Sequence, residues 1–214
     1  MGGRGIRIVN SPSAGGGLRG GSWEARMLLE NKVAVITGAA QGIGAAFAVG
    51  YAREGAKLVI ADVLDGNDTV DNVVKAGGEA IFMKTDVTRQ DQCDAMAKAA
   101  ADHFGSIDIL VNNAAMYANI VKKPFAEITT AEWNRVMEVN TTGPFHCIKA
   151  AVPYMQAKGG RIINVASSVV FVGAAGMPQD VASDGAVMAF PRCVARGLGA
   201  LDINVYSLAP GDTQ

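Results

Sequence analysis

The sequence predicts one α/β domain built on a doubly wound parallel sheet, with helices on both faces in three layers. From residue 32 onward, short runs of β-branched and apolar residues alternate with longer segments of helical pattern. A glycine-rich turn joins the first run to the first helix, and an acidic residue ends the second run. Parallel strands need helical crossovers that cover both faces, and a chain of 214 residues that is 50% hydrophobic can bury such a sheet.

The first half of the domain is predicted from its strand runs and glycine turns. Each strand run is short and apolar or β-branched, as buried parallel strands are. Glycines follow the first strand and the second helix, where the backbone must change direction. Thr88 and Asp91 have capping-box spacing and predict the start of the third helix. The predicted order is strand 33–37, helix 42–54, strand 57–62, helix 67–76, strand 80–84 and a helix ending near 104.

The second half continues the same alternation. Thr129 and Glu132 also have capping-box spacing and predict the start of a long helix that stops near Gly159 and Gly160. Pro191 falls inside the last predicted helix, where a proline costs about 3 kcal/mol unless the helix is kinked or restarts. The predicted order is strand 107–111, helix 129–158, strand 161–166, helix 178–198 and strand 202–208.

Charge and composition exclude several classes of protein. The net charge is −1 and the pI is about 6.1, so no basic field attracts nucleic acid or anionic lipid. No apolar run is long enough to span a bilayer. The cysteines are three in number and widely spaced, and there are two histidines, so neither a disulfide framework nor a metal site is expected. These features predict a cytoplasmic protein.

The first 26 residues differ from the rest of the chain because they are rich in glycine and arginine. Such a segment cannot bury enough apolar surface to offset the entropy of ordering it. We predict that residues 1–26 are a disordered extension or follow a misassigned start codon, with a basic transit peptide as the alternative. The folded domain is predicted over residues 27–214.

The glycine-rich turn predicts a site for a dinucleotide. Gly38, Gly42 and Gly44 lie between the first strand and the first helix, where bare backbone lets a pyrophosphate approach the helix N-terminus. Asp62 ends the next strand, 18 residues after Gly44. Its carboxylate can accept hydrogen bonds from both ribose hydroxyls of adenosine and would repel a 2′-phosphate, which favours NAD. The alternative is that Asp62 only caps a helix or loop.

The Gly38-x-x-x-Gly42-x-Gly44 spacing resembles that of the short-chain dehydrogenase/reductase family, whose fold is of the Rossmann type. Further motifs of that family recur between residues 32 and 211. They are Asp86-Val87 after the third strand, Asn112-Asn-Ala-Ala115 after the fourth, Val139-Asn140 in the long helix, Ser167 three residues after Asn164, and Pro210-Gly211 after the sixth strand. The resemblance implies a nicotinamide-dependent oxidoreductase that moves a hydride between NAD(H) and an alcohol or carbonyl substrate.

The resemblance also assigns roles to residues. It implies cofactor contacts from Gly38, Gln41, Gly42, Ile43, Gly44, Asp62, Asp86, Val87, Asn113, Ala114, Pro210 and Gly211. It implies that Ser167 orients the substrate oxygen and that Asn140 helps to hold a water that relays protons. In the family a tyrosine phenol transfers the proton, and a lysine four residues later lowers the pKa of that phenol and holds the nicotinamide ribose.

The chain departs from the family at these last two positions. Asp180 stands at the tyrosine position, 13 residues after Ser167, and Asp184 stands at the lysine position. An aspartic acid titrates near 4, so we expect both side chains to be ionised, solvated on one helical face and mutually repulsive. They would be too short and too acidic to protonate a carbonyl, which predicts a loss of about 10² to 10⁴ in rate. Asp184 could still accept from ribose hydroxyls.

Several interpretations of this departure stay open. The chain is an oxidoreductase impaired at Asp180 and Asp184, a non-catalytic NAD(H)-binding protein, or a sequence that does not fold stably. A metal bound by the two carboxylates is disfavoured, because no histidine or cysteine lies at ligand spacing. Family members continue beyond the position of Gln214, so we expect a domain truncated before its last strand, and the homo-oligomer common in the family is in question here.

Overall fold

The structure is a computed structural model that describes residues 27–211. The predicted extension, residues 1–26, and residues 212–214 lie outside the described residues. Within 27–211, six parallel strands form one sheet in the order β3-β2-β1-β4-β5-β6. The strands are β1 Val33–Thr37, β2 Lys57–Asp62, β3 Glu79–Lys84, β4 Ile109–Asn112, β5 Gly160–Val165 and β6 Ile203–Leu208. The predicted doubly wound parallel sheet is confirmed.

Helices connect the strands as the alternating pattern predicts. They are α1 Gly42–Arg53, α2 Asn67–Lys75, α3 Gln90–Phe104, α4 Thr130–Met137, α5 Gly143–Met155, the single turn α6 Val169–Val172, and α7 Pro178–Leu198. The helix predicted over 129–158 is divided by a π-helical turn, Glu138–Thr142. Short 3-10 turns occur at Phe125–Glu127 and Gly199–Leu201.

The sheet separates two apolar layers, because its central strands are buried on both faces. Every residue of β1 is buried, as its uninterrupted apolar pattern predicts. On one face, Met96 of α3 and Cys147 of α5 pack with Leu110 of β4. On the other face, Ala48 of α1 and Val73 of α2 pack with strand residues. This arrangement leaves the carboxyl ends of the strands free to carry a site.

One of the two predicted capping boxes is confirmed and the other is wrong. The Thr129 hydroxyl accepts from the backbone N–H of Glu132 at 3.2 Å, and Glu132 accepts in return from the N–H of Thr129 at 2.9 Å. Thr88 makes no such box with Asp91. Instead the Asp86 carboxylate accepts from the N–H of Thr88 at 3.0 Å and from its hydroxyl at 2.7 Å. α3 begins at residue 90 with Arg89 as its N-cap, so Thr88 lies outside the capping position.

The last helix accommodates its proline. α7 continues through Pro191, whose side chain is buried, so the proline does not divide the segment into two helices. None of the helices in residues 27–211 combines the length and the apolar character needed to cross a bilayer.

Candidate active site

The predicted site residues gather at the carboxyl edge of the sheet. β1 lies between β2 and β4, so the chain runs outward in opposite directions from the β1/β4 pair. Open α/β sheets bind ligands in the crevice at this switch point. Gly38 follows β1, Asn113 follows β4, and each contacts the other directly. The structure thus brings the glycine turn and the segment after β4 together, as the sequence predicts.

The glycines of the turn differ in what surrounds them. A Cβ on Gly44 would lie 2.2 Å from the carbonyl oxygen of Gly38, and a Cβ on Gly38 would lie 2.7 Å from the Cα of Ala114. These two glycines permit close packing of the backbone. Gly42 has a φ of +58°, yet no described atom lies within 4 Å of the place where its Cβ would stand.

Open space therefore adjoins the start of α1. The N-cap residue Gln41 has extended backbone, and no described side chain caps this end of the helix. Gln41, Gly42 and Ile43 are exposed, whereas Gly44 is buried. Unsatisfied N–H groups at a helix N-terminus, reached over bare glycine, fit a phosphate anion. The residues present thus match the phosphate group that the resemblance implies.

Thr37 and Asn113 form a clamp across the switch point. The Thr37 hydroxyl accepts from the backbone N–H groups of Asn113 and Ala114, both at 3.1 Å. The Asn113 side chain donates to the carbonyl oxygens of Thr37, at 3.1 Å, and of Gly38, at 2.9 Å. Asn113 thus fixes the shape of the glycine turn, while its direct contact with a cofactor stays a prediction. Sequence reasoning missed Thr37, although a hydroxyl at the last residue of β1 was a usable signal.

Asp62 is 9% exposed and lies beside the glycine turn. One carboxylate oxygen accepts from the N–H of Ala40 at 2.9 Å, and the other accepts from the N–H of Leu64 at 3.0 Å. The residue therefore does cap its loop, as the alternative interpretation expects. Each carboxylate oxygen can accept a further hydrogen bond, so the cap leaves capacity for a ribose hydroxyl.

The predicted adenine-contacting pair follows β3. Burial raises the pKa of Asp86, but hydrogen bonds from Thr88 and the charges of Arg135 and Arg89 outweigh it, so the net shift is downward. Val87 is buried against Gly143, where a Cβ would stand 2.7 Å from a Val87 methyl carbon. Thr88 thus holds Asp86 by hydrogen bonds, and Val87 packs against Gly143.

The π-helical turn presents Asn140 at the centre of a second group of residues. Asn140 is 5% exposed, and its side-chain oxygen accepts from the N–H of Met116 at 2.7 Å. Its amide donates to the hydroxyl of Ser183 at 3.0 Å, and that hydroxyl donates to the carbonyl oxygen of Asp180 at 2.8 Å. This chain of bonds ties α7 to the loop after β4. Sequence reasoning missed Ser183, which no motif outside its helix indicates.

Ser167 lies at the end of β5 and is half-buried. Its hydroxyl accepts from the N–H of Val169 at 3.2 Å, while the next residue, Ser168, donates its N–H to the carbonyl of Pro210 at 2.9 Å. The segments after β5 and β6 are thereby joined at the same edge of the sheet. In the described part of the chain, no hydrogen bond links Ser167 to Asn140.

Asp180 and Asp184 are not the solvated pair that the sequence predicts. Asp180 is 3% exposed and Asp184 is partly buried. Neither carboxyl group has a hydrogen-bond or ion-pair partner among residues 27–211. Burial raises the pKa of Asp180, and burial together with the charge of Asp180 raises the pKa of Asp184 to about 7.

For Asp184, the expectation of full ionisation near neutral pH is therefore wrong. The physical reason is packing. α7 lies against α4, β6 and the π-helical turn, and this burial disfavours the ionised form of a carboxyl group. Near neutral pH Asp184 is therefore present in both protonated and ionised forms.

A cavity of about 350 Å³ opens beside this group of residues, lined by Met116, Gln179, Arg135 and neighbouring apolar side chains. Gln179 is 2% exposed, and its side-chain oxygen has no partner among the described residues. Another cavity, of about 260 Å³, lies at the opposite edge of the sheet near Asp108 and Asp202. In residues 27–211 no three histidine, cysteine or acidic side chains are grouped in a way that could hold a metal ion.

Comparisons with known proteins agree with this geometry. The family model for short chain dehydrogenases matches residues 32–214. Galactitol 2-dehydrogenase of Agrobacterium fabrum is 42% identical over 187 residues, which are 86% of this chain and 72% of that protein. Cis-4-hydroxycyclohexanecarboxylate dehydrogenase of Sinomonas cyclohexanicum is 42% identical over 182 residues, which are 84% of this chain and 72% of that protein.

A solved structure agrees as well. The crystal structure of NAD+-bound xylitol dehydrogenase superposes with a TM-score of 0.82 at 30% identity, covering 86% of this chain and 71% of that one. The predicted resemblance and the Rossmann-type fold are thus confirmed. This chain belongs to the short-chain dehydrogenase/reductase family.

Proposed function

We propose that the chain binds NAD(H) along the carboxyl edge of its sheet and catalyses slow alcohol–carbonyl interconversion. The observation that carries the cofactor half of this proposal is the position of Asp62. The N–H of Ala40 holds its carboxylate directly beside the glycine turn, at 2.9 Å. A phosphate at the start of α1 and a ribose at Asp62 are the two ends of an adenosine diphosphate moiety.

The same carboxylate favours NAD over NADP. A 2′-phosphate placed on the ribose would stand against Asp62 and meet a like charge. The runner-up is NADP binding, because Lys84 is exposed at the end of β3 and lies in register with Asp62. Since Lys84 forms no ion pair with Asp62 in the described residues, a lysine is free to meet a phosphate there.

Calorimetric titration with NAD+ and with NADP+ decides between these cofactors. NAD+ should bind more tightly, and Asp62→Ala should reduce that preference. Asp71→Ala is the matched control, because Asp71 is an exposed carboxylate on α2 that makes no hydrogen bond with the described residues. NADP+ binding as tight as NAD+ binding would contradict the assignment.

Small hydroxyl compounds are the substrates that we propose. The relatives are named for galactitol, for 4-hydroxycyclohexanecarboxylate and for xylitol. Bound NAD+ supplies the hydride acceptor. In our proposal Ser167 orients the alcohol oxygen at the end of β5, and Asn140 holds the loop after β4 against α7.

Removal of the alcohol proton is the step that this chain performs poorly. Asp184 has a pKa of about 7, which suits a general base at neutral pH. However, an aspartate is shorter than the tyrosine that stands at position 180 in the family, and neither Asp180 nor Asp184 supplies a cation. We therefore propose that turnover is lower by about 10² to 10⁴ than with a tyrosine and a lysine at these positions.

NADH formation measured across a panel of polyols and cyclic alcohols tests this step. The double variant Asp180→Tyr/Asp184→Lys should gain turnover over the natural chain, provided that its circular dichroism shows a folded protein and that it binds NAD+. A folded, NAD+-binding double variant without a gain would contradict the proposed impairment.

A second candidate function is NAD(H) binding without catalysis. It is favoured by the observation that Asp180 is buried and Asp184 partly buried, and that neither carboxyl group has a partner among residues 27–211. The same panel separates the two candidates. Slow NADH formation that scales with protein concentration and disappears in Asp184→Asn supports an impaired enzyme, whereas binding with no turnover supports the second candidate.

A further inference from the structure

We propose that the crevice discriminates between the redox forms of its cofactor and binds NAD+ more tightly than NADH, because Asp180 and Asp184 line its nicotinamide half. The proposal rests on the proposed function, since it requires that NAD(H) binds at the carboxyl edge of the sheet. The nicotinamide ring is positively charged in NAD+ and neutral in NADH, while the remainder of the two molecules is the same. Any charge beside the ring therefore acts on one form only.

The fold places α7, the helix that carries both aspartates, at the correct end of the crevice. A dinucleotide at the switch point spans both halves of the sheet. Asp62 follows β2 on one side of β1, and this side takes the adenosine. The nicotinamide must then lie over β4 and β5. α7 borders that second half, because Ser183 binds Asn140, whose side chain binds Met116 after β4.

The burial of the two carboxyl groups and their lack of a partner among residues 27–211 favour a cationic ligand. Asp180 is 3% exposed, and no residue in 27–211 donates a hydrogen bond to its carboxyl or pairs with it. A buried carboxyl without a partner loses the stabilisation that water gave its charge. A positive charge placed beside it restores that stabilisation and acts more strongly there than in bulk water, because the local dielectric is low.

Other titratable groups lie on α7 and on the elements packed against it. The titratable groups on α7 and on the elements packed against it are Glu132, Arg135, Glu138, Arg161, Arg192, Cys193, Arg196 and Tyr206. Glu132 pairs with Lys123, and Arg135 pairs with Glu138. Of all charged groups, only Asp180 contributes to the raised pKa of Asp184, after burial.

The pH dependence follows from this setting. As pH rises through about 7, Asp184 gains a negative charge. The ionised form attracts NAD+ and offers nothing to the neutral ring of NADH, so only NAD+ binding tightens. By linkage, bound NAD+ lowers the pKa of Asp184, and NAD+ binding near neutral pH releases a proton. NADH binding releases none.

The expected size of the effect comes from the same linkage. An opposite charge within about 4–6 Å lowers the pKa of a carboxyl by about 1–3 units. Each unit corresponds to a tenfold change in affinity between the two protonation states. The ratio of the NADH to the NAD+ dissociation constant should therefore rise about tenfold or more between about pH 5.5 and about pH 8.5.

Isothermal titration of the full chain with NAD+ and with NADH at these two pH values tests the proposal. Asp184→Asn, which keeps the shape and removes the charge, should make the ratio independent of pH. Asp180→Asn should lower the ratio at about pH 8.5, where Asp184 is ionised with or without Asp180 beside it. Asp71→Asn should leave it as in the natural chain, because Asp71 is exposed on α2. Repeating the NAD+ titration in buffers of different ionisation enthalpy counts the released protons.

The outcomes distinguish this inference from the proposed function. A ratio that is the same at both pH values, or NADH that binds more tightly than NAD+, overturns the discrimination and leaves cofactor binding intact. Failure of both forms to bind folded protein overturns the proposed function, and the inference with it. A pH-dependent ratio that persists in Asp184→Asn, shown to be folded by its thermal melt, also overturns the role of this carboxyl group.

Discussion

Asp184→Asn should stabilise the chain at neutral and alkaline pH and have little effect in acid. The pKa of Asp184 is about 7 in the folded chain, against an ordinary value of 3.8. As pH rises from about 4 to about 7, the unfolded chain loses this proton before the folded chain does, so the folded state loses stability over that interval. An asparagine carries no such proton, and the variant avoids the loss.

The structure sets the size of this effect. The difference between 3.8 and about 7 corresponds to about 4 kcal/mol at most for a fully buried group. Because Asp184 is only partly buried, solvent screening reduces the expected gain to about 1–2 kcal/mol. In a chain of this size, 1 kcal/mol moves Tm by about 2–4 °C, so the variant should melt roughly 2–8 °C above the natural chain at pH 8.

Thermal unfolding followed by circular dichroism from about pH 4 to about pH 8.5 measures the effect. The difference in Tm between Asp184→Asn and the natural chain should grow up to about pH 7 and then stay level. Asp71→Asn serves as the control and should show no such growth. A difference in Tm that is the same at every pH would refute the raised pKa, and with it the burial of this carboxyl.

Four further substitutions test the glycine turn, the clamp that holds it and the cap of α4. Gly42→Ala should lower the free energy of unfolding by about 1–2 kcal/mol, because Gly42 has a φ of +58°. Gly50→Ala in the same helix should raise the free energy of unfolding by about 0.5–1 kcal/mol. Urea unfolding measures both, and the opposite ranking of the two variants contradicts the turn geometry. Asn113→Ala should cost about 1–3 kcal/mol in the same assay, since two carbonyls of the glycine turn lose their donor; a neutral result would count against the clamp. Thr129→Ala removes the cap of α4 and should cost about 0.5–2 kcal/mol while leaving the NAD+ dissociation constant unchanged by calorimetry; weaker NAD+ binding would be inconsistent with this layout.

The glycine turn and the position of Asp62 are predictable from the sequence because their signals are local. The strand over 33–37 is buried along its whole length, and a sequence run shows that directly. The positive φ of Gly38 and Gly42 is a property that the residue type itself permits. Asp62 follows from its position at the end of a strand. The contact that fixes the turn, between Thr37 and Asn113, joins residues 76 positions apart and leaves no local pattern.

The burial of Asp180 and Asp184 is not predictable from the sequence, because it depends on residues that are distant along the chain. Their i, i+4 spacing shows that they share a helical face, but it does not show what covers that face. The cover comes from α4 and the π-helical turn, some 40 residues earlier in the chain. The sequence does not indicate the π-helical turn either, because the apolar pattern over 129–158 is that of one continuous helix. The predicted cap at Thr88 is wrong because α3 begins at residue 90 with Arg89 as its N-cap, and Thr88 bonds Asp86 instead.

Titration of NAD+ into the purified chain and into Gly42→Val tests the cofactor crevice most directly. The side chain of valine would occupy the open space at the start of α1, where a phosphate is expected. We predict saturable binding to the natural chain and to a folded Gly50→Ala control, and its loss in a folded Gly42→Val. Folded natural chain that takes up no NAD+ at millimolar concentration, or Gly42→Val that binds NAD+ as tightly as the natural chain, would contradict the crevice.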